Sequence, residues 1–190
     1  VSGNSNYSFY QDFITQFPMF KNNNIDLNLI KVAIFDFDET LALHKSLDYM
    51  KTTDEDMFIS YYVNAYNNPE NFYEVVEPCI PNEDVCKLIS ILRNKKIKMY
   101  CVSGMKFTFN LEAKRHFVHK FFDKDIEVFS SESQKAKIDA TKIIAKINNC
   151  KLNEILFIDD IKKNIRKLNK SGVCSIMVDD VSSLIEMEDN

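Results

Sequence analysis

Residues Val32-Ala33-Ile34-Phe35-Asp36-Phe37-Asp38-Glu39-Thr40-Leu41 constrain the fold more than any other stretch of the chain. Four consecutive apolar residues run directly into two carboxylates, Asp36 and Asp38, with Thr40 two positions further on. An apolar run without alternation reads as a strand buried on both faces, which is the signature of a parallel sheet. Ligands in such sheets bind in the crevice at the carboxyl ends of the strands. Two aspartates placed there are costly to keep ionised unless a cation balances them. The pattern therefore predicts a metal ion, and its other ligands should lie further along the chain.

Downstream of residue 80 the pattern alternates between helix and strand. Pro81-Asn82-Glu83-Asp84 starts a helix that carries Val85, Leu88, Ile89 and Leu92 on one face. Strands are predicted over 97–102, 126–129, 154–158 and 173–178, with helices over 109–121 and 137–148 between them. Ile161, Ile165 and Leu168 stripe a further helix, while Lys162, Lys163, Arg166, Lys167 and Lys170 point outward. A short acidic helix ends the chain. Gly172 is expected to cap a helix, and Gly104 to close a strand where a ligand approaches the backbone. The fold class predicted is α/β: a Rossmann-like three-layer sandwich with a mostly parallel sheet and a small helical cap or flap after the first strand.

This division gives an α/β core of residues 31–41 and 81–190 and a flap of residues 42–80. In the flap, Thr52 and Glu55 form a capping box opening a helix to about Tyr66, and Pro69 restarts a shorter helical turn. Its aromatics, Phe58, Tyr61, Tyr62, Tyr66, Phe72 and Tyr73, are expected to fasten it to the core. Residues 1–30 form an N-terminal helical extension, with Phe9, Tyr10, Phe13, Ile14 and Phe17 on one side. A chain of 190 residues, 45% apolar and 27% charged, suffices for one core plus such an insertion. Its net charge of −4 gives no electrostatic footprint for nucleic acid. The five cysteines show no C-x-x-C pair, so reduced thiols in a cytoplasmic protein are expected. No apolar run approaches a membrane span, and no signal-peptide pattern is visible.

Further polar groups fall at the same end of the predicted sheet. One strand ends at Ser103-Gly104, Lys137 opens a helix, and another strand runs into Asp159-Asp160 with Asn164 a helical turn on. In order and type these four motifs resemble those of the haloacid dehalogenase-like (HAD) superfamily of phosphotransferases, over residues 31 to about 178. The resemblance implies a phosphomonoester hydrolase, with Asp36 as nucleophile forming an aspartyl-phosphate and Asp38 as general acid and then base. It implies Mg²⁺ held by the Asp36 carboxylate, the Asp38 backbone carbonyl and Asp160, with Asp159 acting through water or orienting the ligands. Thr40, Ser103, Gly104 and Lys137 would surround the phosphoryl group, the lysine neutralising charge on it and on Asp36. Lys135 is the alternative lysine.

Asn164 is a candidate support for the site, and His44 is expected to be a solvated flap histidine. A receiver domain would carry its acidic pair after the first strand, contrary to the order here. A dehalogenase would generally lack Asp38. A phosphomutase or other phosphotransferase shares the core residues, and a low-turnover phosphate-binding or scaffold protein is the rival from another class. A phosphorylated small molecule is the expected substrate; nucleic-acid ends are disfavoured by the net charge.

Overall fold

Val32–Phe35 forms β1, and all four residues are buried. It lies at the centre of a parallel sheet because its hydrogen-bonding edges are both taken: Phe35 stands opposite Cys101 on one side and Ile158 on the other. In the computed structural model, which describes residues 25–46, 55–104, 110–131 and 133–188, the remaining strands of this sheet are β4 (Lys98–Gly104), β5 (Glu127–Ser131), β6 (Ile155–Asp159) and β7 (Cys174–Met177). The strand order is β5-β4-β1-β6-β7, all parallel.

Both faces of the sheet are covered, which accounts for the unbroken apolar runs in its central strands. Ala33, Phe35, Cys101, Leu156 and Ile158 pack toward helices α2 (Glu83–Asn94), α3 (Leu111–Phe121) and α6 (Val181–Glu188). Val32, Ile34, Tyr100, Val102 and Phe157 pack on the opposite face with Ile144 of α4 (Gln134–Ile147) and Leu168 of α5 (Lys162–Lys170). The result is the three-layer Rossmann-like arrangement. Gly172 follows α5 with φ +92, the left-handed conformation that glycine adopts without a Cβ clash. All five cysteines are free, and no helix among the described residues is long and apolar enough to cross a membrane.

Two local readings are corrected. The segment after β1 is not wholly helical: Ala42–His44 (β2) and Cys79–Pro81 (β3) close it as an antiparallel pair. Strands of three residues are too short to show a period-2 pattern, and Pro81 reads as a helix start although Asn82 is the N-cap of α2. Between them lie α1 (Glu55–Asn67) and a π-helical turn, Phe72–Val76, in place of the helical turn expected at Pro69. Phe72 and Tyr73 of that turn are buried, and Tyr73 packs on Phe37 and Phe117. Second, α4 begins three residues before Lys137, because the Ser133 hydroxyl caps the Ala136 amide. The predicted N-terminal helix, Thr52 and the side chains of Phe58 and Tyr62 lie outside the described residues.

β1 leads into a tight loop in which the Phe37 carbonyl accepts from the amides of Thr40, Leu41 and Ala42. Within it Glu39 has φ +52, a left-handed conformation that costs a residue with a side chain about 1–2 kcal/mol. Its carboxylate offsets part of this by accepting from the His44 amide at 3.2 Å. Glu39→Ala, which keeps the Cβ and loses that bond, is expected to destabilise by roughly 1 kcal/mol. Glu39→Gly, which loses both, is expected to be neutral or stabilising. Urea denaturation of the two variants checks the order.

Candidate active site

Asp36 directly follows β1, and its amide donates to the Ile158 carbonyl at 2.9 Å, so the end of the central strand fixes its backbone. Its side chain is 7% exposed. Lys137 Nζ lies 2.8 Å from Asp36 Oδ2 and donates to Asp159 Oδ2 at 2.8 Å, while Asp36 Oδ1 has no hydrogen-bond partner among the described residues. Lys135 is exposed and Lys137 buried. Asp159, at the end of β6, is fully buried; it accepts from the Ile161 amide at 2.8 Å, and Asn164 Nδ2 donates to both of its oxygens. Asp160 is half-buried beside it.

Ligand oxygens of Asp36, Asp159 and Asp160 come within 4.8 Å of one another. Lys137 bonds two of these carboxylates, Asp36 and Asp159, and the third lies beside them. Burial, followed by the charges of Asp159 and Asp38, pushes Asp36 up to about 7 against the pull of Lys137. Burial and Asp159 push Asp160 up to about 6. Burial disfavours the charged Lys137, but Asp36 and Asp159 outweigh it and raise its pKa. An all-oxygen donor set with excess negative charge and one bare buried oxygen fits a hard divalent cation.

Asp38 stands on the other side of the loop with a different set of partners. Lys114 Nζ of α3 donates to Asp38 Oδ2 at 2.6 Å and to Ser103 Oγ at 2.8 Å, and lies 4.6 Å from the centroid of the Phe37 ring. His44 Nε2 lies 3.1 Å from Asp38 Oδ1, and its Nδ1 lies 2.7 Å from Glu77 Oε1. Cys79 donates from its thiol to the Glu77 carbonyl at 3.2 Å. An imidazole between two carboxylates donates from both nitrogens only when protonated. Burial opposes that charge, yet the bonds to Asp38, Cys79 and Glu77 push His44 up to about 12. Burial also disfavours ionised Asp38, but Lys114 and His44 outweigh it and hold its carboxyl well below the usual range.

The His44 side chain is fully enclosed, which corrects the expectation of a solvated histidine. Its imidazole, the Glu77 carboxylate and the Cys79 thiol could also chelate a cation, but the hydrogen bonds just described already use those groups. Ser103 is fully buried at the end of β4, followed by the exposed Gly104. Thr40 is also fully buried, and its hydroxyl has no partner among the described residues. Sequence reasoning missed Lys114, Glu77 and Cys79. Lys114 carried a signal, a lone lysine within the buried stripe of Ala113, Phe117 and Val118. A cavity of about 580 Å³ adjoins Asp160, and Glu39, Asp84 and Asp179 give its wall a strongly acidic character.

No family model matches the chain, and no curated protein sequence does. Solved structures do. Phosphoserine phosphatase in its apo form superposes with a TM-score of 0.53 at 17% identity, over 78% of this chain and 86% of that one. A phospho-aspartyl intermediate analogue of phosphoserine phosphatase gives 0.52 at 19% identity, with the same coverage. A HAD-family enzyme of Bacteroides thetaiotaomicron, in complex with magnesium and inorganic phosphate, gives 0.50 at 12% identity, over 78% of this chain and 93% of that one. The fold is that of the HAD-type hydrolases.

Proposed function

We infer that the protein is a cytoplasmic, Mg²⁺-dependent phosphomonoester hydrolase working through an aspartyl-phosphate on Asp36. The observation that supports this reading is the convergence of Asp36, Asp159 and Asp160 with Lys137 at the carboxyl ends of β1 and β6, one Asp36 oxygen being bare among the described residues. Mg²⁺ would be held by Asp36, the Asp38 main-chain carbonyl and Asp160, and when bound supplies positive charge to the phosphoryl oxygens. Asp159, gripped by Lys137, Asn164 and the Ile161 amide, orients this arrangement.

Asp36 attacks phosphorus while Lys137 neutralises charge on it and on the phosphoryl group, with Ser103 and the Gly104 amide as further donors. Asp38 serves the leaving oxygen first and the attacking water second. Thr40, whose amide donates to the Phe37 carbonyl, would stand with Ser103 and Gly104 beside the phosphoryl group. The acidic wall of the adjoining cavity favours a small phosphorylated substrate over a polyanion such as a nucleic-acid end.

The test is hydrolysis of an aryl phosphate and of a panel of alkyl phosphates with and without Mg²⁺, with Asp36→Asn as control. Turnover that needs both Mg²⁺ and Asp36 is expected; its absence across the panel overturns the reading. A second expectation needs no substrate. The folded-state pKa values of Asp36 and Asp160 lie above their ordinary 3.8, so the native state retains protons that the unfolded chain has lost. Stability therefore falls as pH rises from about 4 to about 7 in chelator. Mg²⁺ binds the deprotonated form and should raise Tm more at pH 8 than at pH 5, as thermal melts at the two pH values would show.

A further inference from the structure

Asp38 meets the crevice with both oxygens already engaged by cationic donors, Lys114 at 2.6 Å and His44 at 3.1 Å. Each donor is itself fixed. Lys114 has a 2% exposed side chain, lies against the Phe37 ring and bonds Ser103. His44 is fully enclosed, held from behind by Glu77, which is only 5% exposed, and packed 6.3 Å from the Tyr73 ring. The Asp38 side chain nevertheless keeps 37% of its surface open. It is thus a carboxylate locked in one orientation, with acceptor lone pairs remaining on its open side.

We propose that His44 and Lys114 are positioning residues that hold Asp38 as the base for the second half of the reaction, hydrolysis of the aspartyl-phosphate. This rests on the phosphatase reading above. In that step water attacks phosphorus and gives one proton to an Asp38 oxygen. The bond between phosphorus and the Asp36 oxygen breaks, its electron pair returns to the Asp36 carboxylate, and inorganic phosphate leaves. The base must be aimed at the water, and two N–H donors on its two oxygens fix that orientation. Glu77 acts one residue further back, by fixing the His44 ring from its Nδ1 side. The first half of the reaction, with a leaving group that needs no protonation, makes no such demand.

The two halves are separable by pre-steady-state kinetics on p-nitrophenyl phosphate with Mg²⁺, a substrate whose phenolate leaves unaided. Two variants are compared with wild type. Lys114→Met keeps the stem on Phe37, and His44→Phe combined with Glu77→Gln keeps a ring without leaving a buried carboxylate unpaired. The expected result is a burst of nitrophenolate approaching one per site, with steady-state kcat lowered about 100-fold and KM lowered with it, because the phosphoenzyme accumulates. Acid-quenched protein should then carry acyl-phosphate on Asp36. Loss of burst and steady state in parallel, as from a misfolded fraction, overturns the proposal, and so does unchanged kcat. In either case Asp36-dependent turnover by wild type leaves the phosphatase reading intact. Wild type without turnover or burst overturns both.

Discussion

On the aspartyl-phosphate reading, Asp36→Asn is expected to abolish turnover, with a loss on the order of 10⁴-fold or more, because an amide at this position cannot supply the attacking carboxylate. The same substitution should make the metal-free protein more stable at pH 8. Wild type keeps a carboxylate at Asp36 that burial pushes up to about 7, so above that pH the folded state carries an ionised group it disfavours. An amide removes that cost, and Lys137 retains Asp159 as its partner. The pH-dependent decline in stability between about 4 and 7 should therefore flatten in the variant. Urea titrations at several pH values, in chelator, measure it. An Asp36→Asn protein that is inactive and also less stable at pH 8 would mean that the Asp36–Lys137 pair contributes more than its burial costs.

Lys137→Met is expected to have the largest effect on stability. Among the described residues this lysine is the one cation bonded to both Asp36 and Asp159, and all three side chains are at most 7% exposed. Removing it strands two buried carboxylates, a loss of about 3–5 kcal/mol at pH 8 for this class of change. Acidification to about pH 5 should recover part of it, since a protonated Asp36 no longer needs a counter-charge, and Mg²⁺ at pH 8 should recover part by replacing that charge. Lys142→Met is the matched control: its partner Asp139 is exposed and 3.9 Å away, and the expected change lies within about 0.5 kcal/mol. Guanidinium melts of both variants with and without Mg²⁺ give the comparison. Equal stability of the Lys137 variant and wild type at pH 8 would show that the carboxylates are neutral there.

The parts of the fold that were readable in the sequence are those in which burial leaves a hydrophobic trace. β1 and β6 are runs of apolar residues ending in acids, and their partners across the sheet follow from alternation with amphipathic helices. β4 runs two residues further than its apolar run because Ser103 and Gly104 pair with Ser130 and Ser131, a ladder of backbone bonds that side-chain polarity conceals. The first turn of α4 was missed for the same reason: Gln134 and Lys135 add no apolar period. Asp36, Lys137, Asp159 and Asp160 were legible as types at strand and helix ends. Lys114 was visible only as an interruption in an apolar stripe. Glu77 and Cys79 approach His44 from more than 30 residues away, through a pair of three-residue strands, and nothing local in the chain announces such a contact.

The position of β1 separates the two aspartates in a way that distance does not. Asp36 is anchored to a strand bonded on both edges, whereas His44 and its neighbour Cys79 belong to a pair of strands whose outer edges carry no further strand among the described residues. Amides of Ala33 and Ile34 should exchange with solvent only through global unfolding, and those of Leu43 and Ile80 through local opening at a much lower free energy. Mild heat or denaturant would then release the grip on Asp38 while Asp36 and Lys137 stay folded. On the phosphatase reading, such a partly opened molecule would still take up a phosphoryl group and be slow to give it up, so that loosening the protein would convert a catalyst into a phosphate trap.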